Sequence, residues 1–292
     1  MIPKRLGIVA GMPRAGTTYL YHAFAAHPEA FVPYRKELRY FGQQFAKGPD
    51  WYGAFFKDAP SASMCIDCSP DYFLLPEVPQ RIKDTHSTAR AILGIRDPAS
   101  WALSLHQQVC NIGETTPTLH DFLAEMRYPS FGAENAFPAI NLGRGFIRSE
   151  IEAFRHHLGP RLLMFNFEAF GRNPLHILRG IERFLSLTPY FDAQNLPQGH
   201  INAGSRKKSG WFAYVMSRDR TIRMLRSIFP KRLLLQTRLA MDRMNRTPTG
   251  LTFEMDSEEF RLCAETLAAD RTYIRELFQG GNIIDGTGAV MD

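Results

Sequence analysis

The sequence predicts an α/β fold, a parallel sheet flanked by helices with a mostly helical C-terminal extension, and three observations carry that prediction. Strand-like apolar runs at Leu6–Ala10, Ala91–Ile95 and Arg161–Phe167 each lead into a stretch of helical spacing. Such alternation argues a parallel sheet with helices on both faces. The first strand also reaches its helix through a turn bounded by Gly11 and Gly16, which brings unpaired backbone N–H groups and the positive end of a helix dipole to one point. At 292 residues the chain can bury a sizeable core, and a single domain over 1–292, with its core in 1–210 and a helical extension in 211–292, is the simplest fit.

The first strand is followed by a helix opened by Thr17 and Thr18, with Leu20, Phe24 and Ala25 recurring at helical spacing. Gly11 and Gly16 stand at the separation found in the nucleotide loop GxxxxGK[ST], so the core is P-loop NTPase-like in outline. Thr17 occupies the position of that loop's lysine, and the residue that reaches the β- and γ-phosphates of ATP is missing. The cation lies inside the loop, at Arg14, which suits an anionic group lying across it. An ordinary strand-turn-helix start is the plainer alternative.

In Arg35–Phe41, RKELRYF, three basic residues surround Glu37 and keep it ionised; a solvated, salt-bridged loop is the alternative. Trp51–Phe56 is aromatic and packs on the core or lines a pocket. Met64–Asp67 is a short apolar piece, broken by Ser69-Pro70. Pro76–Ala89 has one apolar and one charged side, as a surface helix does, and leads to the second strand. Pro98 suits the first turn of the next helix with Asp97 as its cap, which places Arg96 at the C-terminal edge of the sheet, where ligands bind in open α/β folds. Ser104 lies about two helical turns into that element. An arginine and a hydroxyl so presented can grip one phosphate; a strand-terminal salt bridge and a solvent-facing serine would also account for them.

Thr115–Asn141, rich in turn residues around a short helix near Leu119–Met126, reads as a surface excursion shaping a pocket. Arg144–Leu158 predicts an amphipathic helix, and the third strand passes through Glu168-Ala169-Phe170 into a helix over Leu175–Leu187. A loop over Gln198–Trp211 precedes helices built from Met224, Leu225, Ile228, Leu233, Leu234 and Leu239. A last helix, Ser257–Gln279, is closed by Gly280-Gly281, and the tail from Asn282 is expected to fray.

The net charge of +6 is concentrated: the stretch from Arg206 to Arg246 carries many arginines and lysines against Asp219 and Asp242 alone, which implies an anionic partner without choosing among nucleic acid, acidic lipid, nucleotide and acidic glycan. Cys65, Cys68, Cys110 and Cys263 are too scattered for a disulfide framework. Cys65 and Cys68 form a C-x-x-C, but no second pair follows at zinc spacing. No apolar run approaches a membrane span and no signal-peptide core opens the chain, so a soluble, cytoplasmic protein is expected.

Taken together, PRAGTTYL, RDPASWALS and the basic loop near Lys207 resemble the sulfotransferases that use 3′-phosphoadenosine 5′-phosphosulfate (PAPS), over the chain from Gly7 to about Lys208. The resemblance implies a nucleotide-binding core in which Arg14, Ala15, Gly16, Thr17 and Thr18 take the 5′ end of the nucleotide. It implies that Arg96 and Ser104 take the 3′-phosphate, with Arg206, Lys207 or Lys208 from the late loop. RKELRYF is similar to the lysine-glutamate loop of the heparan sulfate and related carbohydrate enzymes, which implies Glu37 as general base, while Glu168 in FNFEAFGRNP is read as structural. Three departures stand out: Arg14 where carbohydrate-type members carry lysine, Cys68 where they often carry another lysine, and Arg39 where some carry histidine.

The expectation is therefore in-line sulfonate transfer from PAPS to a hydroxyl of a glycan or small-molecule acceptor, leaving adenosine 3′,5′-bisphosphate. Glu37 removes the proton, Arg14, Lys36 and the loop amides stabilise charge, and no metal is required. His106, near Ser104, and His22, on the first helix, are competing bases. A divergent P-loop kinase and a nucleotide-independent protein binding nucleic acid or anionic membrane through Arg218–Arg246 are the rivals; no nucleic-acid partner is expected, and peripheral membrane contact stays open. The acceptor and the oligomeric state are not readable from the sequence.

Overall fold

The computed structural model describes residues 2–112, 116–128, 137–197, 205–207, 246–248, 256–279 and 283–284. Two compact units result, Met1–Ile201 with Phe253–Asp292, and Asn202–Thr252. In the second, β6 (Ser205–Lys207) pairs antiparallel with β7 (Arg246–Pro248). The helices expected around Met224 to Leu239, and the basic residues from Arg218 to Arg243, lie outside the described residues.

The first unit is a six-stranded sheet in the order β2-β3-β1-β4-β5-β8, parallel at every pairing. Its strands are β1 (Leu6–Gly11), β2 (Ala30–Phe31), β3 (Met64–Cys68), β4 (Arg90–Ile95), β5 (Leu162–Asn166) and β8 (Ile283–Ile284). β1 is buried throughout, as a strand covered on both faces by helices must be. The helices are α1 (Thr17–Ala26), α2 (Gly48–Gly53), α3 (Val78–Thr85), α4 (Pro98–Ile112), α5 (Leu119–Ala124), α6 (Phe146–Leu158), α7 (Phe167–Arg172), α8 (Pro174–Leu185), α9 (Glu258–Thr266) and α10 (Ala268–Gln279). The parallel sheet flanked by helices is thus the predicted architecture.

Four details differ from the sequence expectation. Met64–Cys68 is a full strand inserted between β1 and β2, because both neighbours offer it ladder partners. The helix predicted from Leu175 begins at Pro174, and a separate short helix, α7, precedes it; Asn173 ends α7 and caps α8 by accepting from the His176 amide. The last predicted helix divides at Leu267, with Ser257 capping α9 through the Phe260 amide. The tail is ordered at Ile283–Ile284, which pair with Met164 and Phe165. Gly180 makes that approach feasible: a Cβ there would stand 2.2 Å from Cδ1 of Ile284.

The core includes one carboxyl that works against folding at neutral pH. Glu150 on α6 is 3% exposed; burial pushes it up to about 7, and Glu77 adds to the shift. A carboxyl whose folded value lies above its unfolded one, ~4.3, contributes stability that is full at acid pH and lost as pH rises through the folded value. Glu150→Gln should therefore match the parent near the unfolded value and exceed it at alkaline pH by on the order of 2–3 kcal/mol. Urea denaturation at both ends of that window checks this, and an equal effect at both ends would rule it out.

Candidate active site

The turn between β1 and α1 is fastened to the sheet through its own backbone. Met12 N donates to Gly94 O at 3.0 Å, Ala15 N to Met12 O at 3.1 Å, and the Trp101 indole to Pro13 O at 2.9 Å. Gly94 permits the approach, since a Cβ there would lie 2.8 Å from Ala15 O. Gly16 enters α1 at φ 79, a left-handed conformation that favours glycine, and a Cβ would meet the Phe170 ring at 3.0 Å. Gly16, at the N-cap of α1, offers no side chain to its first-turn amides, the kind of helix start that can receive an anion.

Arg14 lies in the turn after β1 and Ser104 on α4, which follows β4, the neighbour of β1, and the structure joins them directly. Arg14 Nε donates to Ser104 Oγ at 3.1 Å, and Arg96 Nη1 donates to Arg14 O at 3.0 Å. The residues assigned to opposite ends of a nucleotide thus share a hydrogen-bonded chain. Arg96 also lies 5.0 Å over the Phe167 ring. Burial pulls its guanidinium down to about 10, opposed by Glu168 and reinforced by Arg14; it stays cationic at neutral pH, and a bound phosphate would relieve the repulsion from Arg14. Glu168 accepts from the Asp97 amide at 3.1 Å, and Asp97 accepts from Ser100 N at 2.9 Å and pairs with Arg271 at 3.0 Å, so α4 is capped as expected. Those contacts fit the structural reading of Glu168.

Lys36 bridges the loop to the candidate base. Its Nζ donates to Thr18 Oγ1 at 2.8 Å and lies 3.6 Å from Glu37 Oε1. Arg39 Nη2 contacts Glu37 Oε2 at 3.2 Å. Glu37 N donates to Cys68 O at 3.1 Å, which tethers this loop to the end of β3.

Beneath it lies a buried polar cluster that the sequence reading did not pick out. Asp67 accepts from Ser69 Oγ at 2.7 Å, Tyr72 OH at 2.8 Å and Tyr52 OH at 3.2 Å. Burial pushes Asp67 up to about 6, against the pull of these hydroxyls. Asp71 is 1% exposed and pairs with Arg39 Nε at 2.5 Å. The available signal was two aspartates in DCSPD, at the end of a strand next to β1, where an unpaired carboxylate would be costly. Tyr128, after α5, is also placed here: burial raises its pKa first, then Asp71 and Glu37, with Arg39 and Arg14 opposing. Gln108 donates to its hydroxyl at 3.0 Å.

The remaining candidates are placed as follows. His106 Nε2 lies 2.8 Å from Pro117 O and its ring 5.0 Å from that of Phe122; His22 on α1 has its ring 5.9 Å from Tyr21. Arg206 and Lys207 lie on β6 of the second unit, and Lys208 lies outside the described residues. Cys65 and Cys68 are buried free thiols on β3, and burial pushes Cys65 up to about 12. Among the described residues no group of three or more His, Cys, Asp or Glu could hold a metal ion.

Fold and loop together define a P-loop-like parallel α/β architecture, with the candidate loop following β1 at the C-terminal edge of its sheet. No family model matches the chain. It is 27% identical over 205 residues to heparan sulfate glucosamine 3-O-sulfotransferase 5 of Mus musculus, covering 67% of this chain and 56% of that one. It is 32% identical over 100 residues to the membrane-associated sulfotransferase kil1 of Dictyostelium discoideum, covering 33% and 21%. In structure it is similar to a sulfotransferase from Alicyclobacillus acidocaldarius, at TM-score 0.52 and 17% identity over 68% of this chain and 87% of that one. The chain spans about half the length of the first curated relative it matches. Its relatives in sequence and in fold are sulfotransferases, and the sulfotransferase family is the one these similarities support.

Proposed function

We propose that the chain transfers a sulfonate from PAPS to an acceptor hydroxyl, with Glu37 as the general base. The observation that carries this reading is the bridge made by Lys36, which ties Thr18 of the phosphate loop to the Glu37 carboxylate. When bound, PAPS supplies an activated sulfonate whose transfer breaks the S–O bond to the 5′-phosphate, forms an S–O bond to the acceptor and releases adenosine 3′,5′-bisphosphate. The chain does the rest. The first turn of α1, behind the glycine N-cap, and Arg14 would hold negative charge at the 5′ end. Arg96 and Ser104 would hold the 3′-phosphate, the guanidinium by charge-assisted bonds and the hydroxyl as a donor. Lys36, lying between Thr18 and Glu37, would stabilise charge developing in the transfer, and Glu37 would take the acceptor proton. Basic residues around Glu37 suit an acceptor carrying anionic groups, so a glycan or an acidic hydroxylated small molecule is the acceptor class proposed.

Thermal unfolding with added nucleotide tests the donor. Adenosine 3′,5′-bisphosphate should raise the melting temperature well beyond ADP or AMP at equal concentration, because only it engages both phosphate sites. An equal response to all three would reject PAPS as donor.

A further inference from the structure

Arg39 stands between two carboxylates of unequal burial. Its Nε meets Asp71 Oδ2 at 2.5 Å and its Nη2 meets Glu37 Oε2 at 3.2 Å. The Asp71 side chain is 1% exposed, that of Arg39 14% and that of Glu37 35%, so the guanidinium leads from a dry carboxylate out to a wet one. Glu37 and Arg39 both hold left-handed backbone, at φ 61 and φ 57, a conformation that is unfavourable for a non-glycine residue and persists where surroundings enforce it. The enforcing contacts come from one place. Cys68 O takes the Glu37 amide and Ser69 Oγ the Arg39 amide, each at 3.1 Å, and Asp71 follows in the same turn. Burial disfavours the Arg39 charge, and Asp71 and Glu37 together outweigh it, so the guanidinium is held firmly cationic.

We propose that Asp71 is a positioning residue for Glu37, acting through Arg39: it anchors the guanidinium in the fork that presents the Glu37 carboxylate and takes the larger share of its charge. The inference rests on the reading of Glu37 as general base. A carboxylate that was the full counter-ion of a buried arginine would be a poor proton acceptor. With Asp71 as the closer partner, Glu37 is oriented by Arg39 and keeps its basicity. Among the described residues, the charged and titratable groups facing Glu37 include Lys36 and Arg39 on its own loop, Asp67, Cys68 and Asp71 from β3 and the turn after it, and Tyr128 from the segment after α5.

The test observes Glu37 directly. Full-length protein carrying carbon-13 at the glutamate carboxyls is titrated by NMR, and the Glu37 signal is assigned by its loss in Glu37→Gln. Asp71→Asn should move the Glu37 midpoint to lower pH by about one unit, and Arg39→Gln should move it upward. In the Arg39→Gln background, Asp71→Asn should have a smaller effect, the part that remains being the direct repulsion between the two carboxylates. A midpoint unmoved by Asp71→Asn, or moved equally with and without Arg39, overturns the proposal. Should Asp71→Asn fail to fold, Arg39→Gln decides alone: an unmoved midpoint there overturns it as well. Turnover keeps the two readings apart. Full transfer activity in Glu37→Gln removes the base assignment whatever the titration shows, whereas an inactive Glu37→Gln with unmoved midpoints removes only the role of Asp71.

Discussion

Glu37→Gln should lower sulfonate transfer by ~10²- to 10⁴-fold, the span that a positioned general base contributes, while leaving affinity for adenosine 3′,5′-bisphosphate near that of the parent. The amide has the shape of the carboxylate, its one oxygen can still accept from either Lys36 or Arg39, and the backbone tie of Glu37 N to Cys68 O is untouched, so the loop should keep its fold. What it loses is the capacity to take a proton. The two readouts therefore separate: loss in turnover with unchanged nucleotide binding identifies an interaction made only in the transition state. The measurement is steady-state transfer from PAPS to the best acceptor in a panel of unsulfated glycans and phenols, beside calorimetric binding of the bisphosphate. Unchanged turnover would remove Glu37 from the role and return attention to His106.

Arg96→Ala should weaken adenosine 3′,5′-bisphosphate binding by roughly 10- to 100-fold, corresponding to the ~1.5–3 kcal/mol of a hydrogen bond to a charged group. AMP, lacking the 3′-phosphate, should lose much less. A second consequence is specific to this geometry. Arg96 also donates to the Arg14 carbonyl at 3.0 Å, so its removal loosens the residue that carries the loop's own cation, and the loss should exceed that in Ser104→Ala. Equal weakening of the bisphosphate and AMP would show that Arg96 supports the loop only and does not read the 3′-phosphate.

The parts of this site legible in the sequence are those built by local chemistry. Gly11 and Gly16 mark the loop because few other residues allow the turn, and Asp97-Pro98 marks the start of α4 because cap and first turn are set within a few residues. The direct contact of Arg14 with Ser104 was not legible, since it follows from β4 lying beside β1. β3 was obscured because Asp67 interrupts an apolar run; only the assembled fold brings the hydroxyls of Tyr52, Ser69 and Tyr72 to that carboxyl. The left-handed backbone at Glu37 and Arg39 carries no glycine to announce it. What enforces it is a turn some thirty residues on, at Ser69, which local patterning does not reach.

The placement of β8 bears on how the chain is made. The outer side of β5 pairs with Ile283 and Ile284, residues that leave the ribosome long after β5 and only once the intervening second unit has been synthesised. Until then β5 presents an unpaired edge of backbone donors and acceptors, the kind of surface that recruits a strand from another molecule. The nascent chain thus carries this open edge for the whole interval between the emergence of β5 and that of Ile283 and Ile284.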